Sequence, residues 1–170
     1  MTDTFKEYGQ SFQIKALSCM IEDKNFLSKI MDAIQPTYFE TEPQQWMVKE
    51  IVKYFASYKT LPTPDVLAVS VANIEKDEFK RLCKGLLVDV VNQKDATENE
   101  FIKESIVEFC KNQALKIAIV NSIDLLKNKK YELIKSNIEA ALKVGIDTNI
   151  GHNYHLDFED RYREELRNPI

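Results

Sequence analysis

Few side chains in this sequence have the type and spacing for chemistry. His152, His155 and Asp157 fall close together and are zinc-ligand types. They lie in a polar stretch with no fourth ligand and no packed surroundings, so a metal centre is not expected. Lys127, Lys129 and Lys130 form the densest cationic spot and could touch phosphate. Residues 101–151 carry eight lysines against six acids, whereas the whole chain is at -4. A solvated turn explains three lysines equally well, and a pI near 5.3 is poor for a stand-alone DNA binder. Trp46, Tyr54 and Tyr58 could stack on bases, but two of them share a helix whose stripe reads as core. Asp77-Glu78 and Glu164-Glu165 read as solvated surface. Cys19, Cys83 and Cys110 are far apart and sit in apolar helical patterns, which points to reduced core thiols.

Glycine is scarce where phosphate chemistry would need it. Gly9, Gly85, Gly145 and Gly151 stand alone, with no G-x-x-x-x-G-K-[ST] loop, G-x-G-x-x-G turn or G-x-S-x-G elbow. No catalytic residue and no cofactor are therefore expected in this chain. Its 170 residues, 44% of them apolar and 29% charged, fit one domain or two small ones. No apolar run approaches the ~18 residues of a membrane span, and residues 1–10 lack the apolar stretch of a signal peptide. A cytoplasmic location is the default expectation.

Apolar residues recur at three and four positions nearly throughout, which predicts an all-α fold. A first helix is expected over 12–22, capped by Ser11, and a second over 25–34, stopped by Pro36. Thr41, Pro43 and Gln44 combine a capping box with a first-turn proline and open a helix lasting to Tyr58. Met47, Val48, Ile51, Val52, Phe55 and Tyr58 form its apolar stripe. Pro62-Thr63-Pro64-Asp65 forces a stop and a restart, giving a short helix to about Ala72 and another over 75–91.

A second capping box, Thr97 to Glu100, marks a boundary near residue 95. The segment 96–146 then reads as a helical hairpin, with helices over 101–126 and 131–144, a turn at 127–130 and Gly145 as the end cap. From Ala114 to Leu126 the first arm is apolar around most of its circumference, and such a helix must be enclosed. A second copy is the expected cover, with enclosure inside a single bundle as the alternative. Residues 147–170 read as a linker with a short helix started by Asp157. There Phe158, Tyr162 and Leu166 make one narrow stripe at i, i+4 and i+8, too few anchors to stand alone.

Phe26-Leu27-Ser28-Lys29-Ile30, Gln35-Pro36-Thr37-Tyr38-Phe39, Trp46-Met47-Val48-Lys49-Glu50-Ile51 and Thr60-Leu61-Pro62-Thr63-Pro64-Asp65 follow one another in an order that resembles the N-terminal domain of DnaB-type replicative DNA helicases, especially those of tailed phages. The hairpin and Asp157-Phe158-Glu159-Asp160-Arg161-Tyr162 extend the likeness to the linker helix before the motor. The resemblance implies an N-terminal helical bundle (1–95), a hairpin (96–146) and a linker (147–170) that ends about where a RecA-like ATPase would begin. It implies a hexameric ATP-driven helicase whose N-terminal collar pairs hairpins and recruits primase, in the host cytoplasm if phage-encoded. ATP and magnesium would belong to the motor. Carried over residue by residue, Leu115, Ile119, Ile123, Leu126 and Ile134 would pair hairpins, and Phe158, Tyr162 and Leu166 would hook a neighbouring subunit. A free-standing helical adaptor, such as a helicase loader or regulator, is the alternative.

Overall fold

The computed structural model describes residues 4–93 and 97–146, and among them it contains helices and no strands. A short 3-10 turn, Phe5–Tyr8, leads into α1 (Gly9–Glu22). Then come α2 (Lys24–Ile30), a 3-10 turn at Pro36–Tyr38, α3 (Glu42–Tyr58), α4 (Pro64–Ala72), α5 (Asp77–Val91), α6 (Asn99–Lys127) and α7 (Tyr131–Leu142). The all-α fold class is as expected. The short helix expected after Asp157 lies outside the described residues.

The start signals at α3 and α4 act as their chemistry dictates. The Thr41 hydroxyl accepts from the Gln44 N–H at 3.3 Å, and the Gln44 side chain accepts in return from the Thr41 N–H at 3.2 Å. The Thr63 hydroxyl accepts from Val66, with Pro64 in the first turn. Other boundaries differ from expectation. α1 starts at Gly9 rather than 12, without a side-chain cap. α2 ends at Ile30 rather than 34, because the chain turns early toward Pro36 while Ile34 still reaches the core. α6 opens with Glu98 rather than Thr97 in the cap position; Glu98 pairs with Lys15 at 2.5 Å, and Glu100 meets Lys103 at 3.1 Å.

α1 is the hub, in contact with α2, α3, α5 and α6. It is buried around most of its girth, through Phe12, Ala16, Leu17, Ser18, Cys19 and Met20, so no single apolar stripe describes it. Gln13 is fully buried there, and its side-chain carbonyl accepts from the Glu40 N–H at 2.8 Å. Ile102, Ile106 and Cys110 of α6 join the same core, so the first half of this helix packs with the body although it lies beyond residue 95. Cys19, Cys83 and Cys110 are free and buried, as expected. Burial pushes their thiols up, to about 11, 11 and 12, so all three stay protonated and unreactive near neutral pH.

Asp23 ties α6 to this body. One of its carboxylate oxygens caps α2 by accepting from the Phe26 N–H at 3.0 Å, and the other meets the Lys103 ammonium at 2.8 Å. Burial alone would raise the carboxyl, but Lys103 and the backbone N–H groups of Phe26 and Asn25 outweigh it and hold the group below its ordinary 3.8. A depressed carboxylate contributes stability that is complete above the unfolded value and is lost as pH falls through the folded one. Asp23→Asn, which keeps a capping oxygen but no charge, is expected to lower the melting temperature at pH 7 and to flatten its fall below about pH 4. Circular-dichroism melts across pH check this. Parallel acid limbs for the two proteins would contradict it.

α7 ends against the same body. Gly145 has φ +85°, and a methyl group there would collide with Cγ1 of Val107, a stiff side chain packed on the core. Gly145→Ala is expected to cost about 1–3 kcal/mol in urea unfolding. A loss within 0.5 kcal/mol would show that the turn relaxes freely.

Candidate functional site

Beyond Cys110 the hairpin leaves the core. α6 and α7 touch through small side chains: Ala118 and Ala141 are buried, and Ser122 bonds back to the Ala118 carbonyl at 2.6 Å. On α6 the better-covered positions Ala118, Ser122 and Leu125 repeat at i, i+4 and i+7, which marks the side turned to α7. The adjoining flank, about 100° round the helix, is open. Ile119, Ile123 and Leu126 are 58%, 54% and 58% exposed. Leu115 and Ile134, placed on the same surface by the sequence, are half-buried. The five expected pairing residues thus divide into three that stand free and two partly covered.

The open surface extends beyond these residues. Ile117, Val120, Tyr131, Leu133 and Leu142 are also exposed. Ile117 and Val120 belong to the apolar circumference of α6, while Tyr131, Leu133 and Leu142 are on α7; which of them stay open depends on how the two helices face each other, which periodicity alone does not give. Isolated exposed apolar residues are ordinary on a surface, whereas a run of them along one hairpin is the pattern of a contact face.

Lys127, Lys129 and Lys130 are exposed at the hairpin tip. Lys129 takes the left-handed φ of 55° that closes the turn, and the Lys130 N–H donates to the Leu125 carbonyl at 2.8 Å. Tyr131, 60% exposed at the start of α7, stands next in the chain to these lysines.

The remaining candidates separate clearly. Trp46 packs partly on the core. Tyr58, expected in the buried stripe of α3, is instead 65% exposed and pairs with Tyr54 at 4.6 Å between ring centres, because the last turn of α3 overruns the body. Asp77 and Glu78 are exposed, with Glu78 bound to Arg81 at 2.6 Å. His152, His155, Asp157, Phe158, Tyr162 and Leu166 lie outside the described residues, as do Glu164 and Glu165. Among the described residues no group of three His, Cys, Asp or Glu side chains is placed to hold a metal, and no helix is long and apolar enough to cross a membrane.

Among the described residues, an apolar helical arm extends from an all-helical body. Among known proteins, the chain is similar to one described as a DnaB-like replicative helicase, from Enterobacteria phage T4. The two are 22% identical over 158 residues, a match that covers 86% of this chain and 33% of the helicase. The chain thus spans about a third of the length of this curated relative. No family model and no solved structure matches it.

Proposed function

We propose that this chain is the non-catalytic N-terminal module of a DnaB-like replicative helicase, acting in the cytoplasm. Copies of it pair through the hairpin, as a dimer or within a hexameric ring, and the collar so formed recruits primase. The observation that carries this reading is the uncovered apolar face of α6 through Ile119, Ile123 and Leu126. Water-exposed isoleucines along one helix face gain roughly 25 cal/mol for each Å² of apolar surface that a partner covers. The similarity to a replicative helicase, over most of the chain, supplies the setting. ATP hydrolysis, with its magnesium, is assigned to a motor outside these residues.

The test is light scattering on the chain over a hundredfold range of concentration, followed by capture of the primase from the same source. The reading expects a mass at multiples of 19.7 kDa and retention of primase by the associated form. A mass fixed at 19.7 kDa throughout would end the pairing half of the proposal, and association without primase capture would end the other half.

A further inference from the structure

The hairpin tip concentrates positive charge that pairing through Ile119, Ile123 and Leu126 does not use. Lys127, Lys129, Lys130 and Lys135 fall within nine residues, and all four are exposed. Among the described residues none of them is paired with an acid. Residues 121–135 hold these four lysines against Asp124 and Glu132, whereas the whole chain is at -4. That overall charge bears little on the tip. The groove that the body shares with α6 reaches out to Asn121. Lys127 is six residues further along the helix, about 9 Å, and charge is screened over about 8 Å at physiological salt.

Local structure accounts for only part of this charge. Lys127 ends α6, where the helix dipole favours a cation. The next lysines run against local preference. Lys129 closes the turn in the left-handed region at φ 55°, with its N–H donating to the Leu126 carbonyl at 3.1 Å, a position that favours glycine or asparagine. Lys130 holds the cap position of α7, where a serine, threonine, aspartate or asparagine would accept from the open N–H groups and the positive end of the helix disfavours a cation. No side-chain cap is made there. A solvated turn tolerates lysine at both positions but gives no reason for it against these preferences. Tyr131 follows directly, 60% exposed, and its ring meets no other aromatic ring among the described residues. Unpaired cations beside an exposed aromatic ring are the two elements that hold a single strand, the first on phosphates and the second on a base.

We propose that the hairpin tip binds single-stranded DNA, with Lys127, Lys129, Lys130 and Lys135 on phosphates and Tyr131 stacked on a base. The lysines select a polyanion, and Tyr131 selects an unpaired strand among polyanions, since a duplex hides its base faces and an acidic peptide has none. The choice of DNA over RNA rests on the helicase reading above; the strand chemistry does not.

The test is fluorescence anisotropy of a labelled oligodeoxythymidine, about 16 nucleotides long, titrated with the whole chain. With three or four phosphates neutralised on a single strand, affinity is expected to fall roughly 20- to 50-fold between about 50 and 200 mM salt. Lys129→Gly/Lys130→Ser should weaken binding at the lower salt by about tenfold or more, with a melting temperature equal to the parent's or higher, because both replacements suit the turn. Tyr131→Ala should lose about fivefold or more, and Tyr131→Phe, which keeps the ring, less than about twofold. Lys49→Glu/Lys53→Glu, exposed on α3 beside Tyr54, serves as the control and should stay within about threefold of the parent. Absence of binding at the lower salt, equal affinity for a duplex or for polyglutamate, or tighter binding of the matching oligouridine would overturn the assignment. So would equal losses for Tyr131→Ala and Tyr131→Phe, a larger loss from the α3 control than from the tip, or a lower melting temperature for Lys129→Gly/Lys130→Ser. Light scattering on the same samples reads pairing separately: a solitary chain that binds the strand through its tip upholds this assignment while ending the pairing, and a paired chain that ignores the strand ends this assignment alone.

Discussion

Ile119→Asp and Ile123→Asp are each expected to at least halve the mass of the associated chain in multi-angle light scattering while its helical circular dichroism stays as in the parent. Both side chains are more than half exposed in the single chain, so an aspartate there meets water and leaves the fold intact. Its cost to the isolated helix is the difference in propensity, at most about 0.7 kcal/mol. In a paired hairpin the same carboxylate would be enclosed by apolar side chains without a partner, a penalty of several kcal/mol. Since every 1.4 kcal/mol is tenfold in a dissociation constant, a loss of about 3 kcal/mol moves association more than a hundredfold. The two substitutions act on one face and should have the same effect. If both variants unfold instead, Ile119 and Ile123 are internal core and the pairing surface does not exist.

The contrast between these residues and their neighbours shows what the sequence could and could not reveal. Helix starts with a side-chain cap and a first-turn proline, at Thr41 and Thr63, were legible because the signal is local and the competing conformations are few. At Thr97 the same local pattern misplaced the cap by one residue. There Glu98 takes the cap position, and Glu98 and Glu100 pair with Lys15 on α1 and Lys103 one turn on. The cap at Asp23 is as local, three residues before Phe26, but its ion pair with Lys103, eighty positions away, leaves no local signal. The hairpin's excess of apolar surface was legible from composition around the helix. Which residues stay open was not, because α7 covers α6 through alanines, and small residues give no periodic signature strong enough to orient a contact. Tyr58 follows the same logic: its position fits the α3 stripe, but the body ends before it does.

The largest stability effect is expected at Ile106, on the same helix as the pairing residues. Ile106 is 1% exposed and belongs to the body's core with Ile102 and Cys110. Ile106→Ala removes three buried carbons and leaves a cavity against α1, which should cost about 2–5 kcal/mol. Against the usual total of 5–15 kcal/mol for a domain, that is a large share of the stability. Ile123→Ala removes the same atoms from a surface position seventeen residues on, and should change unfolding by no more than about 0.5 kcal/mol at concentrations where the chain is solitary. Urea unfolding of the pair therefore maps where α6 stops being core. A single transition that moves down sharply for Ile106→Ala and hardly at all for Ile123→Ala is expected, because the first half of the helix is part of the body and the second half waits for a partner. Equal losses at both positions would place the distal arm inside a shared core and remove the physical basis for association. An unmoved transition at Ile106 would mean that the hairpin folds apart from the body, with Asp23 and Lys103 joining two independent units rather than bracing one.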